Sequence, residues 1–305
     1  MIGRVIKGIG GFYFVHDGSN TVMGKARGSL KRNKDLIYVG DIVDFDIDEN
    51  DCDNECVINR VIERRNFLTR PPVSNLDMLV VVFSLKDPAV NYPVIDKLLA
   101  GCELKGITPV VCITKKDLVS ENELRDAMDV YKGIYPVVAV NGCTGDGIDG
   151  LKIQIQGRSA ALAGPSGVGK STITNLLHGD IESASDDDMT DTSLRPAQTG
   201  TISGKTGRGR HTTRHVEIFA LGEDTYLYDT PGFTSLDMPE MEVTDVRNLF
   251  PEMRQASGKC RYRDCIHVNE PDCAVKKALG EGLIHKSRYS SYLMMIEEVK
   301  KWKKL

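Results

Sequence analysis

Long apolar runs are missing from this sequence. The longest, Met78–Phe83, falls far short of the ~18 residues that a membrane-spanning helix needs. The opening residues, Met1-Ile-Gly-Arg-Val-Ile-Lys7, lack the basic, apolar and small-residue succession of a secretory signal. Cysteine is sparse: eight in 305 residues cannot staple a chain of this size, so a reducing cytoplasm is expected and a disulfide framework is not. Neither sign of charge dominates, and a formal net charge of −4 gives no global indication of nucleic-acid binding. No internal repeat is found, and a fibrous repeat is excluded. What is present is 41% hydrophobic and 27% charged residue, enough for a real core in two or three domains at ~150 residues each.

Charge is unevenly spread along the chain. Glu182, Asp186, Asp187, Asp188 and Asp191 form an acidic run, and Lys205, Arg208, Arg210 and Arg214 a basic one. The surrounding segment 180–215 is long, polar and glycine-rich, and is expected to be disordered until a ligand orders it. The terminal Lys300-Lys301-Trp302-Lys303-Lys304-Leu305 reads as a solvated helix end.

Residues 1–63 carry short β-type patterns at Phe12–Val15, Asp41–Ile47 and Cys56–Ile62, with Gly8–Gly11, Gly24, Gly28 and Gly40-Asp41 taken as turns. That spacing predicts a small barrel of OB or SH3-like type. Arg64-Arg65-Asn66 and Arg70-Pro71-Pro72 read as a linker. Beyond it, Leu79–Phe83, Pro109–Ile113, Val137–Val140 and Ala160–Ala163 are continuous apolar strands, alternating with helical patterns at Val94–Leu104 and Glu121–Lys132. This is the pattern of a doubly wound α/β domain over residues 64–235. From 236 to 305 the strand signals give way to a helical segment with clustered cysteines.

Three motifs carry chemistry. Gly164-Pro165-Ser166-Gly167-Val168-Gly169-Lys170-Ser171-Thr172 follows a strand and opens a helix, the context in which backbone N–H groups cradle phosphates, Lys170 reaches the terminal phosphates and Ser171 ligates Mg²⁺. Thr114-Lys115-Lys116-Asp117 closes a strand, where the Asp117 carboxylate can accept both the ring N–H and the amino group of guanine. Asp229-Thr-Pro-Gly232 follows the strand Tyr226–Tyr228, placing Asp229 behind the Mg²⁺ and the Gly232 N–H at the γ-phosphate. A guanylate-kinase-like nucleotide kinase also carries such a phosphate loop, but leaves the other two motifs unexplained. An RNA-binding factor that holds GTP without turnover is the second rival.

The set resembles that of Ras-like GTPases, yet its order does not: the base-reading motif precedes the phosphate loop. The second base-contacting loop, Asn141-Gly142-Cys143-Thr144-Gly145, also comes early. Cutting the chain at another surface loop builds the same sheet, so the domain is expected to be circularly permuted. Cys260, Cys265, His267 and Cys273 supply a Cys₃His set whose spacing alone leaves zinc and free structural cysteines open. Cys102 and Cys112 read as core residues, and Cys52 and Cys56 have no partner histidine to make a metal site.

Small barrel, permuted GTPase domain and cysteine cluster together resemble the ribosome small-subunit-dependent GTPase A (RsgA) family across nearly the whole chain. Asn75–Ser84 and Gly207–Arg214 are part of that likeness. The resemblance implies an OB-like barrel, a cytoplasmic monomeric enzyme without membrane association, GTP/GDP and Mg²⁺ as cofactors, and one structural zinc on the Cys₃His set. It also implies the small ribosomal subunit and its RNA as partners, with hydrolysis stimulated by the subunit and driving release. Two residues depart from common GTPase usage: Thr114 stands for Asn, and Asn141-Gly142 for Ser-Ala. A Thr hydroxyl replaces only part of an amide's hydrogen bonding, which lowers the expected nucleotide affinity. Phe233 occupies the place of the usual water-orienting Gln. His211 is the nearest group able to take that role, or it serves as a contact to RNA or solvent. Thr212 or Thr213 would complete the Mg²⁺ site, with Thr213 preferred.

Overall fold

Side chains alternate between inside and outside along residues 2–61, and this alternation closes a barrel in the computed structural model. The model describes residues 1–302 except 29, 31–35, 48–54, 183–215, 223, 230–235 and 237–239. The expectations for Cys52, for the charged runs and order of segment 183–215, and for His211, Thr212, Thr213, Gly232 and Phe233 therefore lie outside the described residues.

Barrel strands β1 (Ile2–Ile9), β2 (Phe12–His16), β3 (Thr21–Ala26), β4 (Ile42–Ile47) and β5 (Cys56–Val61) close in the order β1-β2-β3-β5-β4. β3 runs parallel to β5 and β4 returns antiparallel to β1, the arrangement of an OB barrel. Val5, Val15, Val43, Phe45 and Ile58 fill its centre. Two glycines read as turn residues sit inside strands instead: Gly8 in β1 and Gly24 in β3. At Gly24 a Cβ would stand 1.9 Å from the Cys56 carbonyl oxygen, so the glycine permits close strand approach and makes no turn.

The expected linker is also corrected. Residues 67–74 form a hairpin of β6 (Phe67–Thr69) and β7 (Pro72–Ser74). Its polar flanks are bound, not solvated. Arg64 donates to both oxygens of fully buried Asp41 at 2.7 and 2.8 Å, Ser74 Oγ donates to Asp41 at 2.6 Å, and the Asn66 side chain brackets the Leu76 backbone.

The second sheet contains β8 (Met78–Ser84), β9 (Thr108–Thr114), β10 (Val137–Val140), β11 (Ser159–Ala163), β12 (Glu217–Gly222) and β13 (Thr225–Asp229), hydrogen-bonded in the order β10-β9-β8-β11-β13-β12. β8 is buried along its whole length, as expected for a strand covered on both faces. β12, an antiparallel edge strand, was not legible in the apolar pattern. The helices are α1 (Tyr92–Lys105), α2 (Glu121–Asp129), α3 (Ile148–Ile155), α4 (Lys170–Glu182), α5 (Pro251–Ser257), α6 (Ala274–Gly280) and α7 (Lys286–Trp302). Pro93 opens α1, and left-handed Gly106 closes it with its N–H on the Cys102 and Glu103 carbonyls. Ser120 and Glu123 form a reciprocal capping box on α2.

Two compact units emerge. One contains Met1–Met78, Ile148–Leu162 and Gly169–Phe233; the other contains Leu79–Gly147, Ala163–Val168 and Thr234–Leu305. In the second, Val246, Phe250, Met253, Tyr292 and Ile296 pack with Ala100 of α1, so the helical tail shares a core with the first α/β segment. Cys102 and Cys112 are fully buried there, as expected, and Cys56 is buried in the barrel.

Candidate nucleotide and metal sites

The fully buried strand β11 leads directly into the glycine-rich loop that precedes α4. The loop after β11 begins with Gly164 at φ 151°, where a Cβ would lie 2.0 Å from the Val82 carbonyl oxygen. Gly167 and Gly169 hold left-handed φ values of 80° and 92°. Only glycine meets these conditions cheaply, and a glycine-rich turn leading into a helix is the form an anion cradle takes.

In the unit that begins at Leu79, the strand-end motif Thr114–Asp117 is fixed to this loop. Thr114 ends β9 fully buried, and its hydroxyl sits 2.6 Å from the Val168 carbonyl and 3.1 Å from that of Phe83. Lys115 takes a left-handed conformation and its ammonium donates to the Asp87 carbonyl. Lys116–Leu118 make one tight helical turn that leaves Asp117 exposed. Lys116 pairs with Asp146 at 2.7 Å, which joins this motif to the loop 141–145. In that loop Asn141 Oδ1 accepts the N–H groups of Cys143 and Thr144 at 2.9 and 3.3 Å. That oxygen is thus committed to shaping its own turn. Gly142 is half-buried beside it, and Pro165, Ser166 and Val168 continue the phosphate loop, Ser166 exposed.

Lys170, Ser171, Thr172 and Asp229 belong to the other unit. Lys170 opens α4 half-buried, and burial lowers its ammonium pKa. Ser171 is exposed and Thr172 half-buried in the first turn. Asp229 ends β13, and its carboxyl is pushed up first by burial and then by Glu217, with His178 opposing. An ammonium and a carboxylate are the group types that a phosphate and a divalent cation, respectively, would take, so the donor set is compatible with GTP and Mg²⁺.

The Cys₃His set converges. Cys265 and Cys273 Sγ are 3.8 Å apart, Cys260 and Cys273 Sγ 4.0 Å, and His267 Nδ1 lies 3.2 to 3.6 Å from all three sulfurs. Tetrahedral zinc with Zn–S bonds of about 2.3 Å places sulfurs roughly 3.8 Å apart, so the donors fit that ion. Burial pushes the Cys265 thiol up to about 12 and, with Arg247, brings His267 down to about 4.

What sequence reasoning missed is the frame around the ligands. Tyr289 and Tyr292 of α7 donate to the His267 and Ile266 carbonyls at 2.6 and 2.7 Å, and Arg247 donates to that of Cys265 at 3.1 Å. The Glu270 carboxylate accepts the N–H groups of Ile266, Val268 and Asn269 at 2.6, 2.9 and 3.0 Å. A glutamate lying between two ligand cysteines was the available signal.

Residues 61–239 match the family model for the RsgA GTPase, and residues 2–53 that for the RsgA N-terminal domain. A small ribosomal subunit biogenesis GTPase RsgA from Caldanaerobacter subterraneus subsp. tengcongensis is 38% identical over 99% of this chain and 97% of its own. One of the same name from Clostridium botulinum is 39% identical over 99% of this chain and its entire length. Among solved structures, YjeQ from Thermotoga maritima is similar with a TM-score of 0.79 at 31% identity, covering 98% of both chains. YloQ, described as a circularly permuted GTPase, is similar with a TM-score of 0.76 at 28% identity, covering 98% of this chain and 95% of its own.

Proposed function

This chain belongs to the RsgA GTPase family, and we propose that its GTP hydrolysis serves late maturation of the small ribosomal subunit, which stimulates turnover and is released by it. The observation that carries this reading is the bond from Thr114 to the Val168 carbonyl, which ties a guanine-reading strand end to a phosphate loop in permuted order. Asp117 reads the guanine edge, with Thr114, Lys115, Lys116, Asn141 and Gly142 shaping the base side. The backbone of Gly164 to Gly169 cradles the phosphates, Lys170 neutralises charge that develops on them, and Ser171 and Thr172 line the first helical turn. Mg²⁺, when bound, shields phosphate charge; Ser171 would ligate it and Asp229 would stand behind. Zinc on Cys260, Cys265, His267 and Cys273 would be structural, because the protein supplies all four donors.

The barrel (1–63) and the zinc-bearing tail (236–305) flank the GTPase segment (64–235) and dock on ribosomal RNA through phosphate contacts and shape. The chain acts as a cytoplasmic monomer, and no described helix is long and apolar enough to cross a membrane. The test is GTP turnover with purified small subunits, large subunits and neither. Stimulation by small subunits alone is expected; equal rates in all three would overturn the assignment.

A further inference from the structure

We propose that Lys7 and Glu217 form a positioning pair through which an occupant of the barrel acts on Asp229. The inference rests on the reading that the barrel docks on RNA and that Asp229 serves the cation side of the GTP site. β1 is the strand common to both ends of the path. Within the barrel its Lys7 is in register with Phe14 of β2, and β2–β3 is the face with which OB barrels hold oligonucleotides. The β1–β2 register shifts between Val5 and Lys7, and such a bulge re-aims the side chain that follows it.

That side chain leaves the barrel. Lys7 Nζ donates to Glu217 Oε1 at 2.7 Å, with both side chains only about a quarter exposed, at 25% and 27%. Glu217 opens β12 directly opposite Asp229, the last residue of β13. Facing residues of an antiparallel pair project to one side with Cβ atoms about 4.5–5.5 Å apart, so two carboxylates there repel unless a cation intervenes. Lys7 neutralises the Glu217 member of that pair, and His178 is the group that opposes Glu217 at Asp229. β1 also grips the neighbouring strand: Arg4 Nη1 donates to the Tyr228 hydroxyl at 3.1 Å and lies 4.9 Å above the Tyr226 ring. Tyr228 immediately precedes Asp229.

These contacts all lie inside one compact unit, which joins the whole barrel to α4, β12 and β13. A displacement of β1 on engagement of β2–β3 therefore changes the charge facing Asp229 and the strand ends that hold it. A pair acting only as glue would alter melting temperature and leave turnover alone.

The experiment compares Lys7→Glu, Glu217→Lys and the double reversal for melting temperature, GTP affinity, small-subunit binding and single-turnover hydrolysis at saturating subunits. Each single reversal is expected to lower stimulated turnover at least tenfold while GTP and subunit affinities stay within threefold. The double reversal, which restores the pair with opposite polarity, should recover to within threefold of wild type. Singles within twofold of wild type, or a double no better than the singles, would overturn the coupling. Loss of subunit binding in Lys7→Glu alone, unrepaired by the double, would make Lys7 an RNA contact and also overturn it. A wild-type chain that small subunits do not stimulate overturns the functional reading and the coupling together. Should a reversal fail to fold, Lys7→Met, Glu217→Gln and their combination replace it. The combined neutral variant should then lose no more turnover than either single, and additive losses would overturn the proposal.

Discussion

Thr114 brings one hydroxyl proton to a place where two buried carbonyls, those of Val168 and Phe83, lie within reach. One proton serves one acceptor at a time, and the 2.6 Å distance to Val168 marks the favoured one. An asparagine amide would offer two donors, so with the smaller side chain it is the Phe83 carbonyl of β8 that goes less well served. Thr114→Val keeps the shape and removes the donor. Leaving the Val168 carbonyl unpaired should cost about 1–3 kcal/mol, and GTP affinity is expected to fall roughly tenfold. Calorimetric titration with GTP checks this; an affinity within twofold of wild type would show that the loop does not depend on the hydroxyl.

At the scale of elements, the ligand loop 260–273 takes its shape from protein bonds. Three successive carbonyls, of Cys265, Ile266 and His267, are held by Arg247, Tyr292 and Tyr289, while Glu270 gathers three N–H groups. Purified protein is expected to carry about one zinc per chain. Glu270→Gln should weaken zinc by about 10–100-fold in chelator competition, the usual effect of losing a group that orients ligands. Unchanged competition would assign the loop's shape to the tyrosines and Arg247 alone. Most elements with strong local signals were legible: the apolar runs of β8, β9 and β11, the glycine loop, the helical pattern of α1, and the clustered cysteines. β3, β12 and the hairpin at 67–74 were not. Gly24 looks like a turn until the Cys56 carbonyl lies against it, and Arg64 and Asn66 look solvated until Asp41 and Leu76 receive them. The Lys7–Glu217 pair spans 210 positions, and no window on the sequence contains both. Long-range polar pairing leaves no periodic trace, whereas burial of one face does.

At the scale of the molecule, each compact unit is assembled from three stretches of chain, so distant side chains must close it. Arg288 of α7 is fully buried between Asp96 of α1 at 2.7 Å and Glu252 of α5 at 2.8 Å, and it lies 4.6 Å from the Phe250 ring centre. Burial pushes the Asp96 carboxyl up, and Arg288 is the charge that opposes this. Arg288→Met strands two carboxylates and should cost about 3–5 kcal/mol in urea unfolding. Arg288→Lys should recover only part of that, because an ammonium cannot reproduce the guanidinium fork. A loss below about 1 kcal/mol in Arg288→Met would show that the carboxylates find other partners. The strand order has a further consequence, for the chain as it is being made. β11 leaves the synthesising ribosome before β13 exists, although β13 is the parallel neighbour that pairs with Ser159–Ala161. At roughly 5–20 residues per second, an apolar strand destined for complete burial waits several seconds with one side unpaired. Each nascent copy therefore passes through an interval of edge-to-edge aggregation hazard that lasts until Thr225–Asp229 emerges.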